Sequence, residues 1–167
     1  PSDENENIKL LTTGYLYNGP AAVRYPRGTG PNTNVEKELS PLEIGKAKVI
    51  KDAGSKTVFL NFGALLDEAM IVSDELNITL IDMRFVKPLD EDLLKEYLSA
   101  ADMFISLEDG AVMGGAGSSV QEFCSENSIN IKSKLFGIPD KFIDHASRKE
   151  MIEEAGLVSR KILESLK

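Results

Sequence analysis

Arg24 and Arg27 stand close together in Arg24-Tyr25-Pro26-Arg27-Gly28, and arginine is the side chain best shaped for a two-pronged grip on a phosphate. In an acidic chain this local basic spot has two readings, contact with a phosphate or a salt bridge to a neighbouring domain. A second candidate is the run Met113-Gly114-Gly115-Ala116-Gly117-Ser118-Ser119. Glycines ahead of a helix free backbone N–H groups to cradle an anion, with the helix dipole assisting. The spacing matches neither the dinucleotide-binding fingerprint nor the P-loop, and no Lys follows the glycines, so a close backbone approach at a packing contact is favoured. Glu108-Asp109 offers an acid and a base, but neighbours on a strand face opposite sides, which argues against a shared proton. Asp82 and Arg84 share one face and read as a structural ion pair. His145 has no identifiable nucleophile and reads as a surface or interface residue; Cys124, beside Phe123, reads as core. No residue is assigned to catalysis or to a metal.

Composition narrows the partners. The chain has 167 residues, with 19 Lys and Arg against 27 Asp and Glu, a net charge of −8. That is the wrong sign for binding a nucleic-acid backbone. One cysteine and one histidine exclude an internal disulfide framework and argue against a His/Cys metal cage. No apolar run approaches the roughly 18 residues of a membrane helix and no basic-then-apolar leader opens the chain, so a soluble protein of a reducing compartment is expected. The opening Pro1-Ser2-Asp3-Glu4-Asn5-Glu6 lacks a Met and is expected to be a cut through a longer polypeptide.

The elements that must position these residues follow from hydrophobic period and turn chemistry. A helix is expected over about 3–13 with Ser2 as its cap and Gly14 as its stop, then a strand over Ala21–Tyr25. Pro26, Gly28, Gly30, Pro31, Asn32, Asn34 and Pro41 mark a linker. Beyond it, strands are expected at Ile44–Ile50, Thr57–Phe62, Ile78–Met83, Met103–Glu108 and Ile131–Phe136. Helical patterns separate or follow them: Leu65, Ala69, Val72 and Leu76; a run opening at Asp90; Val120, Phe123 and Cys124; a capping box at Ser147 and Glu150; and Val158–Leu166. The fold expected is α/β, a three-layer αβα domain over a mostly parallel five-stranded sheet. Asp52-Ala53-Gly54-Ser55 makes a tight turn after the first strand, which is therefore expected as an antiparallel edge. Candidate sites then fall where such sheets collect ligands, beyond the carboxyl ends of the strands.

Five stretches occur in order: Gly19-Pro20-Ala21-Ala22-Val23-Arg24-Tyr25-Pro26-Arg27-Gly28, Asn61-Phe62-Gly63, Asp82-Met83-Arg84-Phe85-Val86-Lys87-Pro88-Leu89-Asp90, Glu108-Asp109-Gly110-Ala111-Val112-Met113-Gly114-Gly115-Ala116-Gly117-Ser118 and Gly137-Ile138-Pro139-Asp140. Together they closely resemble the C-terminal part of the 1-deoxy-D-xylulose-5-phosphate synthases, in the transketolase-like thiamine diphosphate family, over essentially the whole chain. The resemblance implies an intact transferase that joins pyruvate and glyceraldehyde 3-phosphate with loss of CO₂, using thiamine diphosphate and Mg²⁺ and serving isoprenoid and thiamine synthesis. It implies that residues 1–28 are the tail of a pyrimidine-binding middle domain, 29–42 a linker, and 43–167 a transketolase-like C-terminal domain. The fragment itself is then expected to bind no cofactor, to be inactive alone, and to support packing on the upstream domains and a homodimer. One contact carries over: Arg27 is expected to bind the phosphate of the glyceraldehyde 3-phosphate acceptor, while Arg24 is left as structural. The location implied is bacterial cytoplasm or plastid stroma. Alternatives are the same domain of transketolase or of a 2-oxo acid dehydrogenase beta subunit, and a stand-alone association module.

Overall fold

The computed structural model describes residues 1–31 and 34–167; Asn32 and Thr33, inside the expected linker, lie outside the described residues. The elements are α1 (Glu4–Leu16), β1 (Lys48–Lys51), β2 (Thr57–Phe62), α2 (Leu66–Leu76), β3 (Thr79–Asp82), α3 (Glu91–Leu98), β4 (Met103–Ala111), α4 (Ala116–Glu126), β5 (Lys132–Ile138), α5 (Arg148–Glu154) and α6 (Ser159–Leu166). They build the expected three-layer αβα unit on one five-stranded sheet of order β1-β3-β2-β4-β5.

Strand alternation splits the core in two. Val58, Leu60 and Phe62 of β2 face one side, where Leu94 and Leu98 of α3 and Val120, Phe123 and Cys124 of α4 close over them. Phe59 faces the other way, with Leu80, Ile105 and Leu107, and meets Ala69 and Val72 of α2, Ile152 of α5 and Ile162 of α6. β2 lies between parallel β3 and β4, with Phe59 opposite both Leu80 and Ile105. A strand covered on both faces is the reason Thr57–Phe62 reads as a continuous apolar run.

β1 is the antiparallel edge expected, but it pairs with β3 and not with the strand that follows it. Both edges of β2 are already taken, and the connection crosses the start of β3, where Ala53 N–H donates to Thr79 Oγ1 at 3.2 Å. It also begins at Lys48, later than Ile44, while β4 runs on past Glu108 to Ala111.

The N-terminal piece departs more. α1 is capped by Asp3, whose Oδ1 accepts from Glu6 N–H at 2.8 Å, and it runs through Gly14 to Leu16. No strand forms over Ala21–Tyr25. The segment folds back along the helix: a Cβ on Gly14 would stand 3.5 Å from Ala21 Cβ and 3.6 Å from Val23. Val23 and Tyr25 have strand-forming side chains, but the segment lies along α1 and pairs with no strand of the sheet.

Candidate functional site

A cavity of about 1090 Å³ opens over the carboxyl ends of β2, β3 and β4, between the α/β unit and the N-terminal piece. Arg24, Phe62, Arg84, Phe85, Glu108 and Gly115 are among the residues on its walls. This is the strand-end position at which a sheet of this type collects ligands.

The glycine turn is already occupied by the protein's own anion. Glu108 is buried at the end of β4, and its carboxylate accepts from Ala116 N–H at 2.9 Å and Gly117 N–H at 3.0 Å, the first two backbone donors of α4. A negative group at a helix N-terminus satisfies orphan N–H groups and meets the positive end of the dipole. The glycines make room for it: a Cβ on Gly115 would come 2.5 Å from Glu108 Oε2, and one on Gly117 would collide with Ser106 Oγ. Gly114 has φ +69°, in the left-handed region that glycine enters at no steric cost. These two N–H groups are therefore already bonded within the protein and face a carboxylate, an unfavourable setting for a second anion such as a diphosphate.

Asp109 turns the other way, as strand alternation requires. Its carboxylate takes Arg148 Nη2 at 2.8 Å, and its backbone carbonyl accepts from Arg24 Nη2. The pair Glu108-Asp109 therefore makes two separate structural anchors rather than an acid and a base.

Asp82 and Arg84 do not pair with each other. Arg84 lies at φ +57°, and its Nη2 reaches Glu6 of α1 at 2.7 Å, in a pair whose side chains are 16% and 9% exposed. Asp82 is buried beside Asn61, whose Nδ2 donates to Asp82 Oδ1 at 3.4 Å and to the Gly63 carbonyl at 2.9 Å. Burial pushes the Asp82 carboxyl above its ordinary value against a hydrogen bond from Ser2, and the nearby Glu6 pushes it the same way as burial does. α1 is thus held to the strand ends by charged groups.

Arg27 is exposed and makes no ion pair or hydrogen bond among the described residues; Arg24, Tyr25 and Pro26 line the cavity, and Arg27 stands just past them. His145 is exposed and no hydrogen bond or ion pair engages it among the described residues. Cys124 is buried in the core as expected, and that burial raises its thiol. Among the described residues no group of three or more His, Cys, Asp or Glu side chains is placed to hold a metal ion. Sequence reasoning missed the Glu108 bond to α4, although an acid at a strand end shortly before a glycine-led helix is a usable signal. It also missed Glu6–Arg84, for which a separation of 78 residues leaves no local trace.

These features define a class: a doubly wound α/β domain whose strand-end cavity is walled by arginines and internal carboxylates. Residues 45–162 match the family described as transketolase, C-terminal domain, and the chain belongs to that family. A protein of Pseudomonas fluorescens (strain Pf0-1) named 1-deoxy-D-xylulose-5-phosphate synthase is 52% identical over 158 residues, 94% of this chain and 25% of the relative. One of the same name from Pseudomonas putida is 48% identical over 167 residues, 100% of this chain and 26% of the relative. The chain thus spans about a quarter of the length of the curated relatives it matches. Among solved structures, one titled "Split gene transketolase, inactive beta4 tetramer" superposes with a TM-score of 0.70 at 24% identity, over 83% of this chain and 45% of that one. That likeness shows the fold. Among the described residues, no helix is long and apolar enough to cross a membrane.

Proposed function

We propose that this chain is the C-terminal portion of a 1-deoxy-D-xylulose-5-phosphate synthase, a cytoplasmic transferase that condenses pyruvate with glyceraldehyde 3-phosphate and releases CO₂. The observation that carries the reading is 48–52% identity, across 94–100% of the chain, to relatives of that name. Thiamine diphosphate, held with Mg²⁺ by residues outside this chain, supplies the nucleophilic carbon for decarboxylation. The chain's own share is to support the upstream domains and a homodimer, with residues 1–28 belonging to the middle domain, and to present Arg27 to the acceptor phosphate. An exposed guanidinium with no hydrogen bond or ion pair among the described residues, next in the chain to the cavity-lining Arg24, Tyr25 and Pro26, supports that role, because a charge-assisted two-pronged bond to phosphate needs a free fork.

The test is a chimera in which this chain replaces the matched segment of the Pseudomonas fluorescens relative. Formation of 1-deoxy-D-xylulose 5-phosphate at a rate close to the parent's is the expected result. A folded, soluble chimera that loads cofactor and gives no product would overturn the reading.

A further inference from the structure

Residues 20–28 have no ladder partner, so side chains must fix their path. Among the described residues, the hydrogen bond that ties this stretch to the α/β unit is the one from Arg24 Nη2 to the carbonyl of Asp109. That carbonyl sits on a rigid mount. Glu108 on one side is pinned to the first N–H groups of α4. The Asp109 carboxylate is held by Arg148 at 2.8 Å, at the start of α5. On the other side β5 packs against Gly110, so closely that a Cβ on Gly137 would stand 2.7 Å from the Gly110 carbonyl. Gly110 lies directly against the guanidinium: a Cβ there would be 3.4 Å from Arg24 Nη2 and only 3.0 Å from Glu108 Oε2.

From Arg24 to Arg27 the chain is short and stiff. Three residues of extended backbone span at most about 10 Å. Pro26 fixes its own φ and biases Tyr25 toward extended backbone. We infer that Arg24 is a positioning residue for the acceptor phosphate: anchored to the Asp109 carbonyl, it holds the Tyr25-Pro26 arm so that Arg27 meets the phosphate at the cavity rim. The inference rests on the reading of Arg27 given under the proposed function. Arg24 is itself committed to a backbone carbonyl, so the two arginines of one motif divide the work, one holding and one gripping.

The experiment uses the active chimera and compares D-glyceraldehyde 3-phosphate with unphosphorylated D-glyceraldehyde as acceptor. The readout is the ratio of kcat/KM for the two. Arg27→Ala is expected to collapse that ratio. Arg24→Ala is expected to lower it about 10- to 100-fold, chiefly through KM for the phosphorylated acceptor, since misplacing a grip by an ångström costs on that order. The double variant is expected to be no worse than Arg27→Ala alone, because the first residue acts only through the second. Arg24→Lys, which keeps one charged donor for the carbonyl, is expected to restore much of the ratio, and Arg24→Gln takes the place of the alanine variant if that one does not fold. Equal loss on both acceptors, or additive losses in the double variant, would overturn the role of Arg24 while leaving that of Arg27 intact. An unchanged ratio in Arg27→Ala would overturn the Arg27 reading and, with it, this inference.

Discussion

Residues 45–162 and residues 1–42 are stabilised by different physics. The first region owns two apolar clusters, one on each face of the sheet, with Phe59, Leu60, Ile81, Leu94, Ile105 and Ile162 shut off from water. The second contributes Leu10 as its one buried apolar side chain among the described residues and leaves Tyr15, Leu16, Tyr17 and Tyr25 exposed. It is fastened instead by Glu6 to Arg84 and by Arg24 to Asp109. A region held by burial keeps its shape wherever the chain is placed. One held by a few directional bonds keeps it only while those bonds are intact.

Breaking the core should have the largest effect. Phe59→Ala is expected to cost the α/β unit about 3–5 kcal/mol, read as a lower denaturant midpoint with little change in slope. Glu6→Ala strands Arg84 without its partner, and a loss of about 3 kcal/mol is expected to appear as faster amide exchange in α1 while β2 and β4 stay protected. If β2 and β4 exchange faster to the same degree, the two regions are one cooperative unit and the contrast is lost. Glu108→Gln places an amide NH₂ against the N–H groups of α4 and should cost about 1–3 kcal/mol, centred on α4 and the adjoining turn. The smallest effect expected is a slope with pH. Because burial raises Asp82 from its ordinary 3.8, the folded state binds its proton more tightly than the unfolded chain does. Stability from this group is therefore full below that ordinary value and is lost as pH rises through the raised one. Asp82→Asn should remove the decline, and midpoints of the two proteins measured from about pH 4 upward check it. Parallel pH curves would show that Asp82 titrates normally in the fold.

Much of the first region was legible because its signals are local. A continuous apolar strand, a helical spacing such as Leu65, Ala69, Val72 and a capping box at Ser147 and Glu150 each report their own element. The partner of β1 was not, since sheet order depends on which edges remain free after β2 is enclosed. The second region was misread for a related reason: Gly14 reads as a stop and Val23 as a strand residue, yet neither outcome is decided within that stretch. At the site, Arg24, Arg27, Glu108 and the glycines were all visible by type. What was hidden is that Glu108 and the glycine turn satisfy each other, a bond across 8 residues that only the fold closes.

The most direct measurement is calorimetric titration of this polypeptide with thiamine diphosphate and Mg²⁺. With the leading N–H groups of α4 already taken by Glu108, no saturable heat is the expected result. Saturable binding that is lost when Gly115 is replaced by Ala would contradict it, because the turn would then be a diphosphate cradle after all.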